Sequence, residues 1–243
     1  MILSILLCLF QVTTGLCSTL NVNRDPLKYA SYPIKTVLVG NVYVGKTCLF
    51  HALSRSTYQI QPPTIGADVQ QINLIAATER TLQNVTVSLW DTAGLEQYRC
   101  ITRSHAQGAD IVVAVFEATK FENMRETVEE WREALVEMSE FRRCKVFLVG
   151  AKYDLVQMEI DAGDSITPLT DDDVNQFALE CGYDGGMVVS SLTGFQIGDL
   201  MGRLGYLCGL VWEERVAAIQ ERLLGSVSDG VQEPQDSNCC VVL

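Results

Sequence analysis

Basic residues are scarce in this chain: 18 lysines and arginines face 30 aspartates and glutamates over 243 residues, a formal charge of -12. Binding a nucleic-acid backbone means displacing its counterions with clustered cations. No such cluster exists here, so nucleic acid is excluded as a partner, and any phosphate the protein holds belongs to a small ligand. Metal-spaced cysteines are missing as well. The nine cysteines, Cys8, Cys17, Cys48, Cys100, Cys144, Cys181, Cys208, Cys239 and Cys240, are scattered and odd in number, which fits reduced thiols better than a disulfide framework or a zinc site. No apolar run reaches the roughly 20 residues that a membrane-spanning helix needs. The opening "MILSILLCLFQVTTGLCS" has an apolar run of about ten residues but lacks the positive segment of a signal peptide. It is expected to be a hydrophobic leader with no translocation role, or the product of a mis-assigned start, within an extension over residues 1–32. No internal repeat is present, and the length suits one domain with tails.

What is present, from Ile34 onward, is an alternation of short apolar runs with helical patterns, which predicts a mostly parallel sheet with crossover helices. "PIKTVLVG" (Pro33 to Gly40) reads as a buried strand, followed by a loop and a helix from Lys46 to about Ser54. "DVQQINLI" and "NVTVSLWD" alternate as an antiparallel hairpin at a sheet edge, with "AATER" as its turn. "ADIVVAVFEA" and "CKVFLVGAK" are central strands, and "ENMRETVEEWREALVEM" between them is an amphipathic helix. After Asp154 a loose segment is expected. "TDDDVNQFALECG" then reads as a helix capped by Thr170 and stopped at Gly182. "GMVVSS" is a final short strand, "IGDLMGRLGYLCGLVWEERVAAIQERLLG" a long closing helix, and the polar residues 225–243 a flexible tail.

Three motifs carry chemistry. "GNVYVGKT", Gly40 to Thr47, matches G-x-x-x-x-G-K-[ST] between a predicted strand and a predicted helix. Small residues let such a loop curl until its backbone N–H groups, those of Val42, Tyr43, Val44 and Gly45 among them, face phosphate oxygens at a helix N-terminus. Lys46 reaches the outer phosphates, and Thr47 offers a hydroxyl to magnesium. "DTAG" supplies Asp91, which holds the metal through water, and Gly94, whose N–H bonds a terminal phosphate. Thr64, in "PPTIGAD", is the natural second hydroxyl ligand. "GAKYD" ends a strand at the sheet's carboxyl edge, where open parallel sheets bind ligands. Asp154 can accept from the N1–H and exocyclic amine of guanine, which argues for GTP over ATP.

The order of Gly40 to Thr47, Thr64, "WDTAG", "AKYD" and "SSLTG" resembles a Ras-superfamily small GTPase over roughly residues 33–212. Within that group "PTIGAD", "YRCITRSHAQGAD" and the tail cysteines are most similar to the Rab branch. The resemblance implies a P-loop α/β fold with a six-stranded, mostly parallel sheet and helices on both faces, over a domain at 33–224. It also implies GTP or GDP with Mg2+, and guanine contacts from Ala151, Lys152, Asp154, Ser190, Ser191 and Leu192. Two loops, about Tyr58 to Asp68 and Asp91 to Ala106, would order on the γ-phosphate. Implied partners are an effector, an exchange factor and an activating protein of Rab type, at the cytoplasmic face of an intracellular membrane and in vesicle trafficking.

Four residues depart from the family pattern. Leu95 stands where a glutamine orients the attacking water, and leucine can neither donate nor accept. Val42 occupies a phosphate-loop position that is glycine in many members, and its branch would crowd a catalytic glutamine or arginine. Both changes point to slow hydrolysis, so no catalytic residue is assigned. Ala151 replaces an asparagine on the N7 side of the base, and Leu192 replaces a lysine of the loop whose Ser191 N–H bonds guanine O6. A lost buried hydrogen bond costs about 1–3 kcal/mol, so nucleotide is expected to be retained but to exchange faster. The loop between Lys46 and Thr64 is one residue shorter than usual for the family, and Tyr58 is its candidate for the aromatic edge beside the base. Two other readings stay open: an ordinary GTPase whose activator supplies the catalytic groups in trans, and a nucleotide-free interaction scaffold.

The chain ends "NCCVVL". Cys240 to Leu243 fits C-a-a-X with leucine last, the geranylgeranyl form. A single lipid binds membranes only marginally and the acidic tail adds no basic patch, so Cys239 is expected to carry a second lipid, prenyl or palmitoyl.

Overall fold

A computed structural model describes residues 32–54, 67–92, 106–119, 125, 128, 144–162 and 168–228, with side chains as far as residue 221. Six strands form one sheet: β1 (Ile34–Val39), β2 (Ala67–Ala77), β3 (Leu82–Thr92), β4 (Ile111–Glu117), β5 (Lys145–Ala151) and β6 (Gly186–Val188). Their order across the sheet is β2-β3-β1-β4-β5-β6. The expected edge hairpin is there, since β2 pairs β3 antiparallel from Ala67 opposite Thr92 to Ala77 opposite Leu82. Every other pairing is parallel. Parallel strands buried on both faces need no alternation, which explains the apolar runs at 37–39 of β1, 111–116 of β4 and 146–149 of β5.

Among the described residues the helices are α1 (Lys46–Leu53), α2 (Tyr153–Asp161), α3 (Asp171–Glu180) and α4 (Ile197–Ser228). One core layer joins Leu38, Leu49, Phe50, Leu89, Val149, Leu200 and Leu204, and the other joins Val37, Val112, Phe116, Leu148, Val174 and Phe177 on the opposite face. Tyr32–Glu214 is one compact unit, and Arg215–Ser228 continues α4 beyond it. No described helix is long and apolar enough to cross a membrane. The amphipathic helix expected over "ENMRETVEEWREALVEM" lies almost wholly outside the described residues.

Thr170 caps α3 as its sequence implies: its hydroxyl accepts from Asp173 N–H at 3.2 Å, while its own N–H donates to Asp173 Oδ2 at 2.9 Å. The Thr170 hydroxyl also donates to Asp173 Oδ2 at 2.6 Å, and this bond, aided by the one from the Thr170 N–H, holds the Asp173 carboxyl below its ordinary range. The first part of the segment after Asp154, expected to be loose, is instead helix α2 as far as Asp161, and residues 163–167 lie outside the described residues. The start of α2 carries no side-chain cap, because Lys152 takes the cap position in the left-handed region at φ 62, and only Val156 of the helix is buried. Both usual signals of a helix were therefore weak.

Close approach explains two glycines of α4. A Cβ on Gly205 would lie 2.4 Å from Ile75 O, and one on Gly209 would lie 2.5 Å from Thr78 Cγ2. The helix thus seats directly against the β2–β3 hairpin, where the Thr78 and Thr81 hydroxyls both donate to Glu213 Oε1.

One buried group is left unsatisfied in β1. Thr36 is 1% exposed and its Oγ1 has no hydrogen-bond partner among the described residues. Thr36→Val keeps the shape and removes the stranded hydroxyl, so it is expected to stabilise the fold by about 1–2 kcal/mol. Urea unfolding monitored by circular dichroism measures this.

Candidate functional site

The sheet order reverses at β1: the chain builds outward through β3 on one side and through β4, β5 and β6 on the other. The carboxyl ends of the strands at such a reversal leave a crevice where ligands of open α/β sheets bind. The loop leaving β1 into that crevice is Gly40 to Thr47. Gly40 has φ 147 and packs so tightly that an added Cβ would sit 2.1 Å from Val115 O on β4. Tyr43 is left-handed at φ 63, and Gly45, at φ 107, takes the N-cap of α1. These turns curl the loop around the helix N-terminus. Val44 is buried, Val42 half-buried and Tyr43 exposed.

Lys46 points back into this curl and donates from Nζ to Asn41 O at 2.8 Å. Burial pushes its ammonium down to about 8, and the nearby Asp91 carboxylate opposes that shift. A phosphate placed in the loop would supply the negative charge that a buried ammonium favours. Thr47 Oγ1 donates to Asp91 Oδ2 at 2.6 Å, joining the start of α1 to the end of β3. Asp91 is 1% exposed and lies in register with Leu38 of β1, and the adjacent Thr92 hydroxyl donates to Leu38 O at 2.7 Å. A hydroxyl and a carboxylate side by side form a hard oxygen set that fits Mg2+, which takes few protein ligands and completes its shell with water and phosphate oxygens.

The residues expected beside the base collect at the ends of β5 and β6. Ala151 is buried, with its methyl 3.5 Å from where a Gly45 Cβ would lie; the Lys152 stem passes 3.8 Å from the same point. Lys152 Nζ pairs with Glu117 Oε2 at 2.9 Å. Glu117 was not singled out in the sequence, although an acid closing an otherwise apolar strand was a signal for it. Asp154 sits in the first turn of α2, and its Oδ1 accepts from Ser190 Oγ at 2.5 Å. Ser190 Oγ in turn accepts from Thr193 N–H at 3.2 Å. The Ser191 hydroxyl is buried without a hydrogen-bond partner among the described residues, and Leu192 is 53% exposed.

The structure therefore brings Gly40, Val42, Tyr43, Val44, Gly45, Lys46, Thr47 and Asp91 to the ends of β1 and β3. It sets Ala151, Lys152, Asp154, Ser190, Ser191 and Leu192 beyond β5 and β6. Thr64, Gly94, Leu95, Tyr58, Cys239 and Cys240 lie outside the described residues.

A mixed six-stranded sheet with one antiparallel edge hairpin, and a glycine loop curled between β1 and α1, make up the P-loop fold of small GTPases. Residues 35–183, more than half of the chain, match the model of the Ras family, and the chain belongs to that family. It is Rab-like within it. It is 36% identical to Ras-related protein Rab-36 of Mus musculus over 50% of this chain and 44% of that protein. It is 37% identical to Rab-30 of Homo sapiens over 51% and 58%, and 30% identical to RABD1 of Arabidopsis thaliana over 58% and 66%. The chain thus spans about half the length of the curated Rab-36 and Rab-30 proteins it matches.

Proposed function

We propose that this protein is a membrane-anchored Rab-type switch that binds GTP through the crevice at β1, β3, β5 and β6 and hydrolyses it slowly. The observation that carries the proposal is the Thr47–Asp91 hydrogen bond. It connects the phosphate loop to the strand that runs into Gly94 and Leu95, so occupancy of the loop bears on the segment that senses the γ-phosphate. Bound Mg2+ would be held by the Thr47 and Thr64 hydroxyls, with Asp91 acting through water, and would neutralise charge on the outer phosphates. Asp154 would read the N1–H and amine of guanine, with Ser190 fixing its carboxylate.

Residues 33–224 would form the switch domain and residues 225–243 the tether. Lipids on Cys239 and Cys240 would hold the domain at the cytoplasmic face of an intracellular membrane, where effector, exchange factor and activator meet it in vesicle trafficking. Residues 1–32 would be a leader outside the domain.

Slow hydrolysis rests on Leu95 and Val42. Single-turnover GTP cleavage should be slow for the wild type, and Leu95→Gln should accelerate it by roughly tenfold or more, as expected when a water-positioning contact is restored. Robust cleavage by the wild type when a Rab-type activator is added would instead identify an enzyme served in trans.

A further inference from the structure

The expected base side of the site carries a contact that reaches beyond the motifs, to Phe195. Asp154 enters α2 from Lys152, a left-handed residue without a side-chain cap bond, so helix capping does not fix the carboxylate. What faces it is the loop from Ser190 to Gln196, which leaves β6 and enters α4 through Gly194 at φ 80 and Gln196 at φ 57.

Three contacts join the two segments. Tyr153 N–H donates to Val189 O at 3.1 Å, and Ser190 Oγ donates to Asp154 Oδ1 at 2.5 Å. The rings of Tyr153 and Phe195 stack with centroids 5.2 Å apart and planes 14° from parallel. The first two contacts secure the loop where it leaves the sheet, and the stack secures its far end. Tyr153 is half-buried against the core layer beneath, whereas Phe195 is 44% exposed. The tyrosine is thus a fixed platform on which the phenylalanine rests.

The stack also acts on the carboxylate through backbone bonds. Phe195 O accepts from Ser190 N–H at 3.1 Å, and Ser190 O accepts from Gly194 N–H at 2.9 Å. Locating Phe195 therefore locates Ser190, whose hydroxyl accepts from Thr193 N–H and so keeps its own proton for Asp154.

We propose that Tyr153 and Phe195 are positioning residues for base recognition: their stack sets the separation between the Asp154 carboxylate and the Ser191 N–H. They serve a site where Ala151 and Leu192 offer the base no polar side chain. The inference rests on the guanine-binding reading above and adds to it which side chains hold the reader in place.

The test is release of fluorescent methylanthraniloyl GDP and IDP from the full chain. IDP lacks the amine that Asp154 reads, so the GDP-to-IDP ratio reports on the placement of that carboxylate. A stacked aromatic pair at this strength predicts that Phe195→Ala speeds GDP release about three- to tenfold. It should also raise the ratio of GDP to IDP release rates toward one, because IDP has no amine contact to lose. Phe195→Tyr restores both, and Met158→Ala, at an exposed position on α2, matches the wild type. Phe195→Leu, which keeps apolar bulk without a planar ring, should behave as Phe195→Ala does and serves if the alanine variant misfolds. Unchanged GDP release overturns the proposal, as does faster release of both nucleotides at a constant ratio, which marks a merely structural role. A wild type that binds no guanine nucleotide overturns the functional reading itself, and the two failures are distinct.

Discussion

Asp154→Asn is expected to convert the site from guanine to xanthine nucleotides. A carboxylate presents two acceptors, matched to the N1–H and 2-amine of guanine. Asparagine keeps one acceptor and turns a donor toward that amine, so two N–H groups meet and one hydrogen bond is lost. Xanthine carries a carbonyl at the same position and accepts that donor. The Ser190 hydroxyl, now bonded to Asp154 Oδ1, can bond the asparagine carbonyl equally well, so the variant should fold like the wild type. Buried mispairing of this kind costs about 3–4 kcal/mol, so GDP affinity should fall roughly 10²- to 10³-fold while XDP affinity rises. Competitive displacement by GDP and XDP measures both, and a variant that still prefers GDP would remove Asp154 from the base site.

Gly40→Ala is expected to disable the phosphate loop by way of the backbone. Gly40 has φ 147, which side chains rarely adopt, and the new Cβ would meet Val115 O at 2.1 Å. The carbonyl belongs to the buried strand β4 and cannot swing aside, so the loop itself must move. Backbone strain together with overpacking costs about 3–5 kcal/mol. Urea unfolding gives that number directly. Loss of nucleotide binding should accompany it, because Lys46 and Thr47 follow in the same curl. A variant within about 1 kcal/mol of wild type, with nucleotide affinity intact, would show that the tight approach of Gly40 to β4 does not shape the site.

Much of the architecture was legible because the chain states it in apolar runs. β1, β4 and β5 are buried on both faces and read as continuous stretches, and the alternation of β2 and β3 announced an edge hairpin. Thr170 signalled the start of α3 by local chemistry alone, and the structure adds Asp173 as its reciprocal partner. Helix α2 was not legible, because its cap is the backbone geometry of Lys152 rather than a capping side chain, and Leu155 and Met158 are exposed. The closing helix α4 was legible as a whole, but the place of its glycines, which weaken an isolated helix, was not. Gly205 and Gly209 are suited to it only because the β2–β3 hairpin lies against them, a contact between distant parts of the chain. The same limit applies at the site. The phosphate loop and Asp91 are motifs with fixed spacing, whereas the Lys152–Glu117 pair and the Tyr153–Phe195 stack join residues that only the fold brings together.

The central claim is that this Rab-like chain keeps guanine nucleotide and leaves the γ-phosphate in place. Denaturing the purified protein and separating the released nucleotide by chromatography tests it most directly. GTP is the predicted species. GDP would contradict slow hydrolysis and point to a working GTPase, and protein free of any guanine nucleotide would contradict the switch and leave an interaction scaffold.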